Sequence, residues 1–376
     1  MNDGGQRTIT ALDHRWMAHA LQLAAKGLYD TAPNPTVGCV LVNDDRLIAA
    51  GWTAPAGGAH AERVALAAAG ARARGATAYV TLEPCCHQGR TGPCTQALIA
   101  AGVARVVYAV RDPNPRVDGA GVRELQQAGI RVDGGVLEQA AERLNRGFFA
   151  RMRRARPWVR TKLAASLDGR TALANGTSQW ITGDAARRDV HRWRARSSAI
   201  LTGSGTILKD DPALTARLED PAIDVLQPLR VIVDSQLRTP PTAKTLALPG
   251  EVLVFTNQPG GPAQQALEAA GARIERVSGA PHCDLTALLA RLAELQINDV
   301  WVEAGPKLNG ALLQSGLIDE LVLYFAPRLL GDSALGMFGV AALTSLDQGW
   351  TLQVDEVRRL GDDLRIIARP SRVAAP

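Results

Sequence analysis

The sequence predicts a chain of two α/β domains, and three observations support this fold class. With 376 residues, the chain exceeds the size at which a single hydrophobic core usually stops growing. Its composition, 46% hydrophobic and 21% charged, is typical of an ordinary globular protein. Strand-like and helix-like segments alternate in two successive sets, which favours mainly parallel sheets covered by helices on both faces.

The first set begins with an amphipathic helix, because apolar residues recur at helical spacing between Leu12 and Leu28. Two strands, residues 37–42 and 47–52, are expected to pair as a hairpin across residues 43–46. The pattern then predicts a helix over 60–69, a strand over 78–82, a helix from Cys94, a strand over 103–110 and a helix over 119–128. We expect these elements to form a first domain, residues 1–150.

A cluster of arginines separates the two sets and is the expected linker, which is short and either packed or loose; it consists of Arg151, Arg153, Arg154, Arg156 and Arg160. The second domain, residues 151–376, is expected to contain strands over 159–165, 199–202, 231–234, 252–256, 300–303, 321–325 and 364–368. Its helices are expected over 185–196, 263–270, 285–295 and 308–314. No Gly-x-Gly-x-x-Gly motif follows its first strand, which disfavours a Rossmann domain.

The net charge of +5 does not by itself indicate a nucleic-acid-binding protein. The arginine cluster is more typical of a solvated face or of a phosphate-ligand contact. Residues 1–7 lack the apolar core of a signal peptide, and no apolar stretch is long enough to cross a bilayer without a charge, Gly or Pro. We therefore expect a soluble cytoplasmic protein with neither a nucleic-acid nor a membrane partner, and the sequence leaves homo-oligomerisation open.

The strongest functional signal is a set of metal-ligand residues in the first domain. Cys85, Cys86 and Cys94 fall within ten residues, a usage that suits a metal site better than a disulfide scaffold. His60 and Glu62 begin an expected helix, and His-x-Glu followed by Pro-Cys and a second Cys is the signature of zinc nucleobase deaminases. One imidazole and two thiolates leave the fourth position of zinc to a water, whose pKa falls to about 7. Glu62 is expected to shuttle the protons.

The spacing of the cysteines does not by itself identify which cysteine supplies the second thiolate ligand of the metal. A Pro-Cys-x-x-Cys motif would end at position 88, which is Gln88. Cys85 and the adjacent Cys86 would be strained if they bound one ion together, so Cys85 and Cys94 are the expected pair. The alternative, that these are buried structural cysteines, would leave His60 and Glu62 as coincidences.

The second domain carries a weaker signal after its expected strand over 300–303. A glycine turn, Gly305-Pro306, follows that strand and leads into an expected helix that contains Gly310. Such a turn lets the N-terminus of a helix approach a phosphate or pyrophosphate. A glycine after a strand is also common where the chain simply turns. The residues alone therefore leave cofactor binding open.

Several motifs extend these two signals over nearly the whole chain. In the first domain they are His60-Ala61-Glu62, residues 81–94 (TLEPCCHQGRTGPC), residues 33–39 (PNPTVGC) and residues 111–115 (RDPNP). In the second they are residues 163–170 (LAASLDGR), residues 178–182 (SQWIT), Thr206 and residues 210–215 (DDPALT). Together they resemble the bifunctional riboflavin-biosynthesis deaminase/reductase family. The resemblance implies a cytidine-deaminase-like α/β/α domain followed by a dihydrofolate-reductase-like α/β domain.

For the first domain the resemblance implies hydrolytic loss of the 2-amino group from 2,5-diamino-6-ribosylamino-4(3H)-pyrimidinone 5′-phosphate. Asn34 and His87 would bind this substrate, and residues 87–93 would shape its pocket. The family commonly has a Val-His pair where this chain has Arg63-Val64, and a second His where it has Gln88. These departures concern contacts with the substrate and not the zinc chemistry.

For the second domain the resemblance implies reduction of the ribosyl C1′ to give a ribityl side chain, with NADPH as the cofactor. The residues that would line the NADPH site are Ala164, Trp180, Thr206, Asp210, Ser235, Gly305, Pro306, Lys307, Leu308, Asn309, Gly310 and Ala311. Those that would face the ribosyl phosphate substrate are Lys162, Ser178, Arg194, Leu214, Arg217 and Glu303. Arg194 and Arg217 can each form a two-pronged hydrogen bond with a phosphate.

Two alternatives to this bifunctional enzyme remain open from the sequence. One is an RNA-acting adenosine or cytidine deaminase in which the second half and the arginine cluster bind nucleic acid. The cysteine spacing and the Gly305 turn favour the bifunctional enzyme over it. The other is a deaminase joined to a reductase-like domain without activity, which an assay of NADPH oxidation would distinguish.

Overall fold

The computed structural model describes residues 9–88, 92–220 and 225–372 of the chain. Its internal contacts divide the chain into two units, Met1–Ala155 and Arg156–Pro376, called here the N-terminal and the C-terminal unit. Each unit has its own principal β-sheet and its own hydrophobic core. Among the described residues, no helix combines the length and the apolar character that a membrane span requires.

The N-terminal unit surrounds one sheet with helices. The strands are β1 (Gly38–Asn43), β2 (Arg46–Trp52), β3 (Thr77–Val80), β4 (Arg105–Tyr108) and β5 (Arg131–Gly134). The helices are α1 (Ala11–Ala24), α2 (Ala61–Ala69), α3 (Cys94–Ala100), α4 (Ala120–Gln127), α5 (Glu138–Leu144) and α6 (Arg146–Arg154). The strand order is β2-β1-β3-β4-β5, with β1 antiparallel to both neighbours and β3, β4 and β5 parallel. The mainly parallel sheet expected here is therefore a mixed one, because the β1–β2 hairpin adds antiparallel pairings.

Helix α1 is fixed at its start and along its buried face. The Thr10 hydroxyl accepts from the Asp13 N–H and the Asp13 carboxylate accepts from the Thr10 N–H, which is a capping box. The buried Asp13 carboxylate also accepts from the Arg105 guanidinium at 2.7 Å. Gly38 in β1 lets the helix approach closely, since a Cβ there would lie 1.9 Å from the Ala20 carbonyl oxygen. These contacts set α1 against the sheet.

The C-terminal unit is built on a larger sheet. Its strands are β6 (Trp158–Ser166), β7 (Arg170–Ala172), β8 (Ala199–Gly203), β9 (Leu229–Val233), β10 (Val252–Thr256), β11 (Arg273–Arg276), β12 (Asp299–Val302), β13 (Glu320–Ala326), β14 (Leu335–Gly336), β15 (Trp350–Leu360) and β16 (Asp363–Arg372). Its helices are α7 (Asp184–Ala195), α8 (Ser204–Asp210), α9 (Lys244–Ala247), α10 (Pro262–Ala269), α11 (Leu285–Glu294) and α12 (Pro306–Gln314). The main sheet has the order β11-β10-β9-β8-β12-β6-β13-β16-β15, and β7 pairs with β14. The strands from β11 to β13 run parallel, so their carboxyl ends share one edge, called here the carboxyl edge.

Apolar side chains cover both faces of the large sheet. On one face Trp193 of α7 stacks on Trp301 of β12, with ring centroids 5.4 Å apart. On the other face α11 and α12 pack leucines such as Leu288 and Leu312 against the strands. The tryptophan stack fixes α7 relative to the end of β12, where the polar residues of this unit converge.

The arginine cluster expected to be a linker is not a loose segment. Its first three arginines belong to the end of α6, which runs across the domain boundary expected at residue 150, and only residues 155–157 lie between α6 and β6. Arg156 forms a two-pronged pair with Asp319 at 2.7 and 2.8 Å. The buried Arg160 pairs with Asp299 at 2.6 Å and with Glu320 at 2.5 Å. The boundary between the two units, after Ala155, falls within this cluster, and regular structure and ion pairs hold the segment.

Candidate active sites

Three side chains of the N-terminal unit meet as a group with the composition of a zinc site. His60 is the N-cap of α2, Cys94 is the first residue of α3, and Cys85 lies in the segment between β3 and α3. Their ligand atoms lie within 4.8 Å of one another, and His60 Nδ1 is 3.5 Å from Cys85 Sγ and 3.3 Å from Cys94 Sγ. One imidazole and two thiols are a donor set that keeps one zinc position for water. The residues present therefore fit the metal.

The two cysteines of this group are tied together through the backbone. The Cys94 N–H donates to Cys85 Sγ at 3.4 Å. The Thr95 N–H and hydroxyl both donate to the Cys85 carbonyl, at 3.2 and 3.3 Å. The start of α3 thus holds Cys85 through the backbone of Cys94 and Thr95 and through the Thr95 hydroxyl. Cys86 lies elsewhere, with its Sγ 3.7 Å from the Arg116 carbonyl oxygen.

A buried carboxylate, Glu83, fixes the same turn from its other side. It accepts from the Gly119 N–H at 3.0 Å and from the Val122 N–H at 3.2 Å. These bonds satisfy N–H groups at the start of α4, so the helix and the turn are held together. Gly121 makes the contact close, because a Cβ there would lie 2.1 Å from the Pro84 carbonyl oxygen.

The charges of the metal-ligand group favour a bound cation. A hydrogen bond from the Cys94 thiol lowers the pKa of Cys85 to about 4, with the His60 imidazole acting in the same direction against burial. Burial and the nearby Cys85 thiolate raise the pKa of Glu62 to about 7. The Glu62 side chain is buried in the first turn of α2 and lies within hydrogen-bonding reach of Cys94. An acid-base group therefore stands beside the metal position.

The loop that carries Asn34 is anchored from the C-terminal part of the same unit. The Asn145 side-chain amide accepts from the Thr36 N–H at 2.8 Å and donates to the Thr36 carbonyl at 2.9 Å. The Arg151 guanidinium donates to the Pro33 carbonyl at 3.3 Å. Asn34 itself is partly buried and its N–H donates to the Thr31 carbonyl. Its position is thus set by residues more than 100 places away in the chain.

His87 follows the metal-ligand turn in the second loop expected to contact the substrate. Its Nδ1 is buried and has no hydrogen-bond partner among the described residues. A buried polar atom without a partner suits contact with a ligand. Arg63, one of the departures from the family pattern, donates from Nε to the Gly92 carbonyl at 3.2 Å and so holds the far end of this loop. Residues 89–91 of the pocket loop expected over 87–93 lie outside the described residues.

A second group of charged side chains lies in the C-terminal unit. Glu303 follows β12, Arg194 is on α7 and Lys162 is on β6. The Arg194 guanidinium forms a two-pronged ion pair with Glu303, with Nε–Oε1 and Nη2–Oε2 distances of 2.5 and 2.8 Å. Burial opposes ionisation of Glu303, but Arg194 holds the pKa of this carboxyl at about 2. Burial lowers the pKa of Lys162, which lies in the field of both partners.

This ion pair corrects the expectation that Arg194 offers its fork to a phosphate. Glu303 occupies Nε and Nη2, and Nη1 donates to the Thr215 carbonyl at 3.0 Å. Arg217 is exposed, and its Nη2 lies 3.2 Å from His191 Nε2. The Leu214 side chain is 2% exposed in the core, so only its backbone can meet a ligand.

The start of α12 has the features of a phosphate site. Gly305 is its N-cap, and no side chain caps the first-turn N–H groups. The space beside Gly305 is open, since a Cβ there would meet no atom within 4 Å. Asn309 Oδ1 is buried and has no hydrogen-bond partner in the described part of the chain. These features fit the phosphate groups of a dinucleotide.

The other residues expected at the NADPH site lie on several different elements of the C-terminal unit. Ala164 is on β6, Thr206 and Asp210 are on α8, and Ser235 follows β9. Trp180 is 64% exposed, with the Arg187 guanidinium 4.8 Å from its ring centroid. Gly310 has a packing role instead, because a Cβ there would lie 2.3 Å from the Gly339 carbonyl oxygen.

Comparison with known proteins covers both units. Two family models match, the Cytidine and deoxycytidylate deaminase zinc-binding region over residues 10–110 and the RibD C-terminal domain over residues 157–366. The Riboflavin biosynthesis protein RibD of Escherichia coli strain K12 is 48% identical over 361 residues, which cover 94% of this chain and 98% of that protein. A structure of Acinetobacter baumannii RibD matches with a TM-score of 0.90 and 47% identity, covering 96% of this chain and 99% of that chain.

The chain belongs to the RibD family. It is therefore a deaminase joined to a reductase that acts in riboflavin biosynthesis, with zinc and NADPH as the cofactors. A Thermotoga maritima structure described as a diaminohydroxyphosphoribosylaminopyrimidine deaminase/5-amino-6-(5-phosphoribosylamino)uracil reductase has 34% identity and a TM-score of 0.83, covering 96% of this chain and 99% of that chain. The predicted fold class, a cytidine-deaminase-like domain and a reductase domain, is confirmed.

RibD-family membership does not favour the RNA-acting alternative, and the arginine cluster has other contacts. Arg151 binds the Pro33 carbonyl, Arg153 pairs with Glu142, and Arg156 and Arg160 form the ion pairs described above. Four of the five arginines thus have described intramolecular partners. The positive charge of the cluster is therefore largely engaged in contacts within the chain.

Sequence reasoning missed three residues that position the two RibD-family sites. Glu83 precedes the Pro-Cys motif, and its place next to a metal-ligand turn was the only signal for its role. Asn145 lies too far along the chain from Asn34 for any local pattern to connect them. His191 lies one helical turn before Arg194, a spacing that places both on one face of α7.

Proposed function

We propose that the N-terminal unit hydrolyses the 2-amino group of 2,5-diamino-6-ribosylamino-4(3H)-pyrimidinone 5′-phosphate and that the C-terminal unit then reduces the ribosyl group to ribityl with NADPH. The observation that carries the proposal is the meeting of His60, Cys85 and Cys94 beside the buried Glu62. The description of the Thermotoga maritima relative names both reactions. The division of labour follows the domains expected from the sequence, residues 1–150 and 151–376.

In the deaminase site, His60, Cys85 and Cys94 would hold the zinc ion. A bound zinc supplies the Lewis acidity that makes water a nucleophile near neutral pH. The Glu62 carboxylate would accept a proton from the attacking water and return protons to the ring nitrogen and the departing amine. Ammonia leaves and a carbonyl group replaces the amino group, so the reaction is a hydrolysis that needs no further reagent.

Asn34 and His87 would bind the pyrimidine. Support for His87 is its buried Nδ1, which has no hydrogen-bond partner within the described chain. Support for Asn34 is the anchoring of its loop by Asn145, which orders a polar side chain before a ligand arrives. An ordered loop lowers the entropic cost of substrate binding.

In the reductase site, the substrate would lie against Lys162, Ser178, Arg194, Leu214, Arg217 and Glu303. Because Glu303 occupies the fork of Arg194, we assign the phosphate contact to Arg217, which is exposed. Arg194 would instead hold the Glu303 carboxylate in place and ionised. Leu214 would contribute its backbone only.

The cofactor would lie along the carboxyl edge. Bound NADPH supplies the hydride. The first-turn N–H groups of α12, in the segment from Gly305 to Ala311, would bind its phosphates. Ala164, Trp180, Thr206, Asp210 and Ser235 would line the remainder of the site.

We also infer that the protein works in the cytoplasm. All five of its cysteines are free thiols, which suits a reducing compartment. Two of them must stay reduced to serve as the proposed metal ligands.

The test is a coupled assay with the intact protein. The diaminopyrimidine phosphate is supplied with and without NADPH, while ammonia release and NADPH absorbance are followed together. We expect ammonia in both reactions and loss of NADPH absorbance only after ammonia has formed. Absence of ammonia release would refute the deaminase assignment. Ammonia release without NADPH oxidation would show that the C-terminal unit has no reductase activity.

A further inference from the structure

Arg63, a departure from the family pattern, has no part in the chemistry proposed above. It lies in the first turn of α2, directly after Glu62, and is partly buried. Its Nε donates to the Gly92 carbonyl at 3.2 Å, and Gly92 lies two residues before the proposed zinc ligand Cys94. The guanidinium therefore bridges the start of α2 and the segment that enters α3, where the ligands His60 and Cys94 lie.

The second departure, Gln88, meets Arg63 at the same place. A Cβ at Gly92 would lie 2.7 Å from Arg63 Nη2 and 3.7 Å from Gln88 Oε1. Gln88 directly follows His87, whose buried Nδ1 has no hydrogen-bond partner among the described residues. Two departures that are far apart in the sequence thus converge at the loop expected to contact the substrate of the deaminase.

The positive charge of Arg63 lacks a counter-charge. Within the residues that the structure describes, no carboxylate lies at ion-pair distance from its guanidinium, whereas Arg105 of the same unit pairs with Asp13 and Asp133. Arg72 also donates from Nε to a backbone carbonyl and forms no ion pair there, but Arg72 is exposed, so water solvates its charge. Because Arg63 is partly buried, an anionic ligand would stabilise its charge more than that of Arg72.

The proposed deaminase substrate carries one group that matches this charge. Its pyrimidinone ring, amino groups and ribose hydroxyls are neutral near neutral pH, whereas its 5′-phosphate is an anion. The planar end of a guanidinium, where Nη1 and Nη2 lie side by side, can form two parallel hydrogen bonds with phosphate oxygens. The bond from Arg63 to the Gly92 carbonyl uses Nε, so it leaves the donors of both Nη groups for such a ligand.

We propose that Arg63 binds the 5′-phosphate of the deaminase substrate and makes the N-terminal unit select phosphorylated over dephosphorylated aminopyrimidine ribosides. The inference rests on the proposed deaminase function. Arg63 contacts an end of the substrate that does not react, so its loss should weaken binding of substrate and transition state alike. Such a loss raises KM and leaves kcat unchanged.

The experiment measures steady-state ammonia release by the full zinc-loaded chain, without NADPH. The diaminopyrimidine substrate is supplied with its 5′-phosphate and, separately, after a phosphatase has removed that phosphate. We expect Arg63→Ala to raise KM for the phosphorylated substrate about 10- to 100-fold, as the loss of hydrogen bonds to a charged group does, and to leave kcat within about twofold. With the dephosphorylated substrate, wild type and Arg63→Ala should have the same KM. The zinc content of the two proteins should be equal.

Two further variants separate the charge of Arg63 from its hydrogen bond to the loop. Arg63→Lys keeps a positive charge and should recover part of the affinity for the phosphorylated substrate. Arg63→Gln keeps a neutral donor for the Gly92 carbonyl and should behave like Arg63→Ala. Arg72→Ala is the matched control, because it removes an arginine that also binds a backbone carbonyl, and it should change KM for neither substrate.

Several results would overturn the role of Arg63 in phosphate binding. An equal rise in KM for both substrates in Arg63→Ala, or full recovery by Arg63→Gln, would show that Arg63 only anchors the loop. Loss of zinc from Arg63→Ala would likewise assign it a structural role. Equal KM values of wild type for the two substrates would also refute the inference. Absence of ammonia release by wild type with either substrate would instead refute the proposed deaminase function itself.

Discussion

The two sites of this RibD-family chain handle buried charge in opposite ways. In the N-terminal unit, Cys85, Cys94 and His60 have one another as hydrogen-bonding partners, and Glu62 is buried beside them. In the C-terminal unit, Glu303 and Arg194 already neutralise each other in a two-pronged pair. The first arrangement needs a cation from outside the chain, and the second is complete without one. Removal of a metal ligand should therefore abolish the activity of the first site. Removal of Glu303 or Arg194 should leave an uncompensated charge in the second.

The largest effect on activity is expected from the loss of a zinc ligand in the N-terminal unit. Cys94→Ser should remove the zinc, which wild type should hold at about one ion per chain, and abolish deamination, because a hydroxyl is a poor replacement for a thiolate ligand. Cys86→Ser is the matched control, since Cys86 Sγ faces the Arg116 carbonyl instead of the ligand group. Metal analysis and ammonia release are the measurements. Zinc lost from Cys86→Ser but retained by Cys94→Ser would reverse the ligand assignment.

A smaller effect is expected where the ligands remain and only the proton carrier is lost. Glu62→Gln should keep the zinc and slow deamination by about 10²- to 10⁴-fold, the range typical of a general acid-base group. Its reduction of the already deaminated intermediate should be unchanged, because the residues proposed for the reductase site all lie in the other unit. Ammonia release and NADPH oxidation are measured on the same preparation. A Glu62→Gln protein that cannot reduce that intermediate would contradict two separate sites.

In the C-terminal unit the expected effect is on stability as well as activity. Glu303→Gln leaves the largely buried Arg194, whose side chain is 13% exposed, without its counter-charge, and removal of one partner of a buried pair costs about 3–5 kcal/mol. Glu356→Gln is the control, because its pair with Arg365 is about half exposed on the Glu356 side and should matter by about 1 kcal/mol or less. Denaturant unfolding followed by tryptophan fluorescence reports the change. Equal losses for the two variants would show that Arg194 and Glu303 are not a buried pair in solution.

The same pair gives a pH dependence with a defined sign. The folded-state pKa of Glu303, about 2, lies below its ordinary value of 4.5. The contribution of its ionised form is therefore present in full above that ordinary value and fades as the pH falls towards 2. The difference in stability between wild type and Glu303→Gln should shrink on going from pH 7 to pH 3. A difference that grows on acidification would contradict this assignment.

The smallest effect is expected from RNA. Because four arginines of the cluster bind groups within the chain, few remain to neutralise phosphates, and any binding should disappear quickly with added salt. Fluorescence anisotropy with a structured RNA at physiological salt checks this. Submicromolar affinity there would revive the RNA-acting alternative.

The elements that could be predicted from the sequence are those whose burial pattern is strong and local. Strand β10 matches its prediction to the residue, since all five of its residues are buried. Strand β15 was missed because the residues between its two ends are exposed and its place in the sheet depends on pairing with β16. Periodicity reports which residues are buried, so an exposed edge strand leaves little pattern to read.

The same distinction applies to the sites. The metal-ligand group could be predicted from the sequence because His60, Cys85 and Cys94 lie within a short stretch of chain, at the starts of helices or in the turn between them. Arg194 was correctly placed in a helix, but its partner Glu303 lies 109 residues away, and no local pattern indicates that pairing. The residues of a short motif are close in space because they are close in sequence. The partner of a side chain on a parallel sheet depends instead on the tertiary fold.

The direct bonds between Cys85 and the start of α3 have a consequence for engineering. Because Cys94 and Thr95 donate hydrogen bonds directly to Cys85, the two ends of the segment between the cysteines are tied to each other. We therefore expect the thiols to keep their spacing when segments of different length or composition are inserted between these two ends. Libraries confined to residues 87–93, the segment that the family resemblance assigns to the substrate pocket, are therefore a way to search for deaminases that accept other aminopyrimidines.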